Sequence, residues 1–327
     1  MNLSTSERVL DVKDLTVDFA SFGDSVNIVE KLNFHINKGE TLGVVGESGC
    51  GKSMTALALM RLINSPPGRI SGSVNLDGRE LLSLSEREME KVRGNKISMI
   101  FQEPMTSLNP AITVGKQLME VYVTHQGMSW SAAREKAIES LETVRIALPK
   151  QRVDEFPHQL SGGMRQRVMI AMAMSCQPKL LIADEPTTAL DVTIQAQILN
   201  LMRELRENTG TSIMLITHDL GVVSEVCSRA IIIYSGQIIE EGRAEQLFEN
   251  PLHPYTVGLL HSLPEFASQG RLHVIEGSVP PPGKKPDGCV FHPRCPRAMD
   301  KCRTEVPEYV YAGDGHSVKC WLHTGSQ

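Results

Sequence analysis

The twenty residues TLGVVGESGCGKSMTALALM, Thr41 to Met60, decide the fold class of this 327-residue chain. A short apolar run comes first, a glycine-rich turn follows, and the last residues carry apolar side chains at helical spacing. The turn has the spacing Gly46-x4-Gly51-Lys52-Ser53, and it stands between a strand and a helix, the context in which this spacing binds phosphate. The stretch therefore predicts an α/β fold built around a phosphate-binding loop.

Each residue type in this loop has a chemical use. Glycines let the backbone N–H groups turn inward as an anion site, and the dipole of the following helix adds to it. Lys52 is predicted to bind the β- and γ-phosphates, and the Ser53 hydroxyl to bind Mg²⁺. We interpret Cys50 as a small filling residue, with a redox switch as the alternative. The predicted nucleotide-binding residues of the loop are Gly46, Glu47, Ser48, Gly49, Cys50, Gly51, Lys52 and Ser53.

Short runs rich in Val and Ile alternate with segments of helical period, as in α/β domains with a mainly parallel sheet. The stretch between Phe101 and Leu180 contains no convincing strand and is too long for a simple crossover, so we predict an inserted helical subdomain at about residues 103–160. The helical stripes contain Ala133, Ala137, Leu141 and Val144, and then Ile194, Ile198, Leu201, Met202 and Leu205. The strand candidates are Leu42–Val45, Ile97–Phe101, Leu180–Ala183, Ile213–Thr217 and Ala230–Tyr234.

Composition excludes several classes of protein. The chain has 33 Lys+Arg against 38 Asp+Glu, a formal net charge of −5, which argues against nucleic acid or anionic lipid as a general partner. No apolar run reaches the length that crosses a bilayer. The N-terminus has no apolar stretch behind a basic start, so we expect no secretory signal and a cytosolic compartment. In that compartment the seven cysteines are expected to be free thiols or ligands.

Acidic and polar residues follow three of the predicted strands. LLIADE places Asp184 and Glu185 at a strand end, where Asp184 is expected to bind Mg²⁺ and Glu185 to act as general base on the attacking water. THD places His218 after the next strand, where it is a candidate for the γ-phosphate. FQEP places Gln102 where its amide meets Mg²⁺ or the attacking water. A solvated turn for the acidic pair, and satisfied polar surface for His218, are the alternatives.

With these residues identified, the chain resembles the ATP-binding subunit of an ATP-binding-cassette (ABC) transporter. The motifs GESGCGKS, FQEP, LSGGM, LLIADE, ALD and THD occur in the family's order within residues 8–245. The resemblance implies a P-loop NTPase fold, ATP and Mg²⁺ as ligands, and an ATPase domain over residues 1–245. It also implies Phe19, with Phe22 close by, as the aromatic residue that stacks on adenine.

The resemblance gives the LSGGM segment a function as well. ATPases of this family work as head-to-tail dimers, in which this segment closes over the nucleotide bound by the phosphate loop of the other subunit. A serine and two glycines before a helix form a second anion-binding helix N-terminus, which agrees with that role. The residues implied to contact ATP or the partner across the dimer are Leu160, Ser161, Gly162, Gly163, Met164 and Asp191.

Two features resemble the peptide importers within the family. Met164 stands where the family often has Gln, as in one of the two unlike ATPase subunits of oligopeptide and dipeptide importers, and this suggests a heterodimer. The tail with NPLHPYTVGLLHSLP and GCVFHPRCP looks like the C-terminal extension of those ATPases. The implied partners are a second ATP-binding subunit, two membrane-spanning permease subunits that contact the helical subdomain, and indirectly a solute-binding protein. The implied location is peripheral, on the cytoplasmic face of the inner membrane.

Related importers of nickel, glutathione or antimicrobial peptides use similar ATPases and remain alternatives. A soluble ABC ATPase outside transport is a further alternative. Such a protein usually carries two cassettes or a long coiled coil, whereas this chain has one cassette and no sustained heptads.

The tail, residues 246–327, is rich in proline and is predicted to be a small unit separate from the sheet. Its cysteines have the spacing C-x5-C-x6-C-x17-C, which does not fit the tight pairs usual for structural zinc. A four-thiolate [4Fe–4S] cluster tolerates wider spacing and is the favoured interpretation. A Zn²⁺ site that uses His292, His316 or His323, and unligated thiols, are the alternatives. The four cysteines are Cys289, Cys295, Cys302 and Cys320.

Overall fold

The computed structural model describes residues 7–21, 24–102, 107–188, 190–263 and 274–324. The chain forms two compact units. The first comprises Met1–Val9, Asn37–Glu40 and Ser83–Met214, and the second comprises Leu10–Ile36, Thr41–Leu82 and Leu215–Gln327. The second unit thus contains both the phosphate loop and the described residues of the proline-rich tail.

The strands are β1 Arg8–Ser21, β2 Asp24–Asn37, β3 Thr41–Val45, β4 Gly68–Leu76, β5 Arg79–Glu80, β6 Ile97–Ile100, β7 Leu180–Asp184, β8 Ser212–Thr217, β9 Arg229–Tyr234, β10 Gln237–Arg243, β11 Val310–Gly313 and β12 His316–Val318. The helices are α1 Lys52–Leu59, α2 Glu86–Glu90, α3 Val114–Gln126, α4 Trp130–Thr143, α5 Pro149–Arg152, α6 Gly162–Met174, α7 Val192–Thr209, α8 Leu220–Val226, α9 Ala244–Glu249, α10 Pro254–His261 and α11 Lys301–Thr304. Across the described ranges, no helix combines the length and apolar character needed to span a bilayer.

The first unit contains a parallel strand pair and the predicted helical region. β6 pairs with β7 in parallel, with Ile97 opposite Leu180. Between these strands the described residues form helices α3 to α6 and no strand, as the sequence predicts. α3, α4 and α6 pack against one another, and α6 packs on β6. The apolar stripe of α4, which includes Ala133, Ala137 and Leu141, is fully buried.

The second unit contains a four-stranded sheet that sequence analysis did not predict. Its order is β2-β1-β4-β5, and β1 runs antiparallel to β4. A bulge between Lys13 and Thr16 shifts the register, and Asp14 there has a φ of 47°. Before the bulge the even-numbered Leu10 and Val12 are buried, and after it the odd-numbered Leu15 and Val17 are buried. The strict alternation that identifies a strand is therefore lost.

The tail continues the second sheet of this unit, so the prediction of a unit separate from the sheet is wrong. β3 pairs with β9 in parallel, and β9 pairs antiparallel with β10. From the tail, β12 pairs antiparallel with β10, and β11 pairs with β12. Proline-rich composition marked the irregular connection before these strands but carried no information on where the chain returns.

A buried carboxylate fixes the tail to the sheet. Glu240 is fully buried on β10, and His316 Nε2 lies 2.8 Å from its Oε1. The N–H groups of Leu252 and His253 donate to its two oxygens at 2.7 and 2.9 Å, and the Thr256 hydroxyl also donates to it. A buried carboxylate is stable only with such partners, so this cluster ties α10 and β12 to β10.

Stability of this region is expected to depend on pH through His253. Its ring is fully buried, and burial lowers its pKa to about 4 from the usual 6.5, although Glu240 opposes the shift. Its Nδ1 accepts the Tyr255 N–H at 3.1 Å, which requires an unprotonated nitrogen. The unfolded chain takes up a proton below pH 6.5 and the folded chain does not, so stability falls as pH drops from 6.5 to 4, by up to about 3 kcal/mol.

Unfolding free energies measured at pH 7 and pH 4 test this prediction. His253→Asn keeps a helix-capping acceptor without a titrating group, so its pH dependence is expected to be shallower than that of the wild type. The exposed His261→Asn is the control. Equal slopes for the wild type and His253→Asn contradict the prediction.

Candidate functional site

The phosphate loop joins β3 to α1 in the second unit. All five residues of β3 are buried, and α1 begins directly at Lys52. Gly51 has a φ of 107°, a conformation that favours glycine, and a Cβ on Gly46 would lie 2.3 Å from the Ile233 carbonyl oxygen. Backbone conformation therefore requires glycine at position 51, and close packing requires it at position 46.

The Lys52 ammonium lies inside this loop. Lys52 is 5% exposed, and its Nζ donates to the carbonyl oxygens of Gly46 at 2.6 Å and Glu47 at 2.9 Å. A positive charge positioned by the loop itself is suited to bind the phosphates of a nucleotide. Cys50 is buried, and burial raises the pKa of its thiol, with Lys52 opposing, which agrees with the interpretation of Cys50 as a packing residue.

The predicted catalytic carboxylates lie at the end of β7 in the first unit. Asp184 is the last residue of the strand and is 3% exposed, and Glu185 follows with a φ of 46°. Gln102 Nε2 donates to Glu185 Oε2 at 3.0 Å, and the Thr188 hydroxyl donates to the same oxygen at 2.9 Å. The structure thus brings Gln102 and Glu185 together, and two donors fix the orientation of the carboxylate.

The LSGGM segment forms the start of α6, also in the first unit. Leu160 is buried, while Ser161 and Gly162 are exposed. Ser161 caps the helix by accepting the Met164 N–H at 3.3 Å. An exposed, capped helix N-terminus with two glycines is a site where backbone N–H groups and the helix dipole favour an anion.

Asp191 lies at the start of the neighbouring helix. Its carboxylate caps α7 by accepting the Ile194 N–H at 2.9 Å, a role that sequence analysis did not predict. A Cβ on Gly163 would lie 3.1 Å from Ile194 Cγ2, so the first turns of α6 and α7 are in contact. Ala189, the first residue of the ALD motif, lies outside the described residues.

Two further predicted residues belong to the second unit. His218 is exposed in the turn between β8 and α8, where Thr217 Oγ1 accepts the Asp219 N–H and Asp219 caps α8. Phe19 lies on β1, half-buried and in register with Gly68 of β4. Phe22, the neighbouring aromatic, lies outside the described residues.

Sequence analysis missed two residues of the tail that contact the phosphate loop, Arg294 and Tyr255. Arg294 binds the Glu47 carboxylate with two N–H···O contacts, at 2.6 and 3.0 Å. The Tyr255 hydroxyl accepts the Glu47 N–H at 2.8 Å, and Tyr234 packs edge-on against Tyr255. The Arg294–Glu47 contact spans 247 residues, and no local pattern indicates such a pair.

The tail cysteines lie in the second unit and are all free thiols. The Cys289 N–H donates to the Cys302 carbonyl at 2.9 Å. Burial, and then the charges of the other three tail cysteines, raise the pKa of Cys320 to about 11. In the part of the chain that the structure describes, no group of three or more His, Cys, Asp or Glu is arranged to hold a metal ion. The predicted iron–sulfur site therefore has no support from the geometry.

Two protein-family models match the chain. The model for ABC transporters matches residues 29–188, which include the phosphate loop, Gln102, the LSGGM segment and Asp184–Glu185. The model for the oligopeptide/dipeptide transporter C-terminal region matches residues 239–302, which include three of the tail cysteines.

Curated relatives match over nearly the whole length. The oligopeptide transport ATP-binding protein AppD of Bacillus subtilis (strain 168) is 52% identical over 317 residues, covering 96% of this chain and 97% of the relative. The dipeptide transport ATP-binding protein DppD of Escherichia coli (strain K12) is 48% identical over 313 residues, covering 95% and 96%.

Solved structures agree with the fold. A dimeric ATP-binding cassette in a post-hydrolysis state, bound to ADP and Pi, superposes with a TM-score of 0.64 at 28% identity, covering 72% of this chain and 98% of that one. The fold is accordingly the ABC ATPase cassette, a P-loop NTPase fold of mixed α/β type. The chain belongs to the ABC transporter family, among the ATP-binding proteins that carry the oligopeptide/dipeptide transporter C-terminal region.

Proposed function

We propose that this chain is the ATP-hydrolysing subunit of an ABC importer that takes up dipeptides or short oligopeptides. One observation supports this function most strongly: the oligopeptide/dipeptide transporter C-terminal region follows the cassette on the same chain. In this proposal residues 1–245 form the ATPase domain, about 103–160 its helical subdomain, and 246–327 the C-terminal extension.

The proposed catalytic roles follow from the chemistry of the residues. Lys52 and the backbone N–H groups of residues 46–53 bind the ATP phosphates, and Phe19 stacks on adenine. Glu185, oriented by Gln102 and Thr188, accepts the proton of the attacking water, and His218 binds the γ-phosphate. Ser53, Asp184 and Gln102 would bind Mg²⁺, which supplies charge neutralisation at the phosphates when bound.

The proposed assembly places a second, unlike ATP-binding subunit opposite this one. The segment 160–164 and Asp191 of this subunit then face the nucleotide and the phosphate loop of the other. Two permease subunits contact the helical subdomain, and a solute-binding protein delivers the peptide. Closure of the ATPase dimer on ATP switches the side of the membrane to which the permease subunits are open, and hydrolysis returns them to the starting state. The location is peripheral, on the cytoplasmic face of the inner membrane.

Affinity purification of the tagged chain from detergent-solubilised membranes, followed by mass spectrometry, tests this assembly. We expect two membrane-spanning proteins and a second ATPase of different sequence. Uptake assays on the recovered complex, reconstituted into lipid vesicles, then show whether it transports short peptides or instead nickel, glutathione or antimicrobial peptides. Recovery from the soluble fraction together with ribosomes or DNA-repair proteins contradicts the transport function.

We also propose that Cys289, Cys295, Cys302 and Cys320 bind a [4Fe–4S] cluster, with Zn²⁺ as the alternative. Support comes from the type of donor, since the tail supplies four free cysteines within residues 289–320 and thiolate is the usual ligand of iron–sulfur clusters. The four thiolates would be its ligands, and when bound it would link segments of the tail that have little apolar core.

Anaerobic purification with analysis of iron, acid-labile sulfide and zinc tests this site. Iron and sulfide are expected in the wild type and are expected to be lost in Cys302→Ser. Cys176→Ser, which changes a cysteine outside the tail, is the control. A preparation with zinc alone, or with no metal, contradicts the cluster.

A further inference from the structure

The second residue of the phosphate loop, Glu47, is bound on three sides. Its carboxylate receives both terminal nitrogens of Arg294, Nη1 on Oε2 at 2.6 Å and Nη2 on Oε1 at 3.0 Å. Its N–H donates to the Tyr255 hydroxyl at 2.8 Å, and its carbonyl accepts from Lys52 Nζ at 2.9 Å. Two of these three partners, Arg294 and Tyr255, come from the tail.

Arg294 is itself fixed by the tail. Its Nε donates to the Glu276 carbonyl at 2.9 Å, and Nη2 also donates to the Ile275 carbonyl at 3.2 Å. The guanidinium carbon lies 5.8 Å from the centre of the Tyr234 ring. The Arg294 side chain is 5% exposed and that of Glu47 is 31% exposed, so the guanidinium is shielded from water and the carboxylate is partly shielded. A planar guanidinium anchored at one edge presents its other edge to a carboxylate in one geometry.

We propose that Arg294 is a positioning residue for the phosphate loop and that, through Glu47, the tail sets the affinity of the loop for ATP. The proposal rests on ATP being the ligand of this loop. With Glu47 fixed, its carbonyl oxygen keeps the Lys52 ammonium inside the loop. The loop backbone after Glu47 then loses less conformational entropy when phosphate binds, which favours binding. Without Arg294 the carboxylate loses its main partner and the loop samples other conformations.

Nucleotide-binding titrations and ATPase assays on the full-length chain test this role. Arg294→Ala is expected to raise the Kd and KM for ATP about tenfold, with a smaller change in kcat at saturating ATP, because two charge-assisted hydrogen bonds are lost. Arg294→Lys keeps the charge but not the fork and is expected to recover part of the affinity. Arg303→Ala, which changes an exposed arginine of the same tail, is the control.

A double-mutant cycle with Glu47→Ala separates positioning from general destabilisation. If Arg294 acts through Glu47, adding Arg294→Ala to Glu47→Ala changes the Kd less than twofold. Additive losses, or wild-type affinity in a folded Arg294→Ala protein, overturn the proposal. Thermal unfolding identifies a variant that fails to fold, in which case Arg294→Lys carries the test. A wild-type chain that binds no ATP refutes the proposed function instead, and Lys52→Ala marks that baseline.

Discussion

Lys52→Ala is expected to abolish tight ATP binding, raising the Kd by about a hundredfold or more. The wild-type ammonium lies inside the loop, 2.6 Å from the Gly46 carbonyl, and a nucleotide would receive its charge there. Two or more charge-assisted hydrogen bonds are lost with it, each contributing about 1.5–3 kcal/mol. Alanine also leaves the carbonyls of Gly46 and Glu47 without this donor, so the loop is expected to lose order as well.

Titration of the purified chain with ATP at fixed Mg²⁺ measures this loss. Lys284→Ala, which removes an exposed lysine elsewhere in the second unit, is the matched control and should bind as the wild type does. Tight ATP binding by Lys52→Ala would mean that the phosphates bind elsewhere.

The parts of the fold that follow from local pattern were predictable. β3, β6, β7, β8 and β9 all match predicted apolar runs to within one residue at either end, because a strand buried on both faces reads as a continuous apolar segment. β1 carries a bulge with Asp14 at positive φ, and β2 has Lys31 at positive φ between its buried positions. Their period is broken, so only the pairing seen in three dimensions identifies them.

The candidate site divides in the same way. Lys52, Asp184 and Glu185 stand in contiguous motifs at strand ends, so their positions could be predicted from the sequence and their roles remain predictions. The contacts of Arg294 and Tyr255 with Glu47 depend on how the tail returns to the sheet, and the sequence carries no local signal for that path. Likewise, the role of Asp191 as the N-cap of α7 is recognised only from the structure, in which the helix begins at Val192.

Glu185→Gln is expected to slow ATP hydrolysis by about 10²–10⁴-fold while ATP binding is retained, the range for loss of a general base. The substitution keeps the shape of the side chain, and a glutamine oxygen still accepts from Gln102 and Thr188. What it removes is the negative charge and the ability to take a proton from water. Because the backbone at this position has a φ of 46°, a same-size side chain avoids adding a further perturbation to an already constrained residue.

The consequence of that substitution goes beyond rate. If ATP binding closes the dimer and hydrolysis opens it, a subunit that binds but does not hydrolyse should accumulate as an ATP-bound, closed assembly. Size-exclusion chromatography with ATP, compared with ADP, measures that species in the complex with its partner subunit. The control is Glu207→Gln, which changes an exposed glutamate on α7. This variant should hydrolyse ATP at the wild-type rate, and its dimer should open after hydrolysis. ATP hydrolysis by Glu185→Gln at the wild-type rate would contradict the general-base role of Glu185.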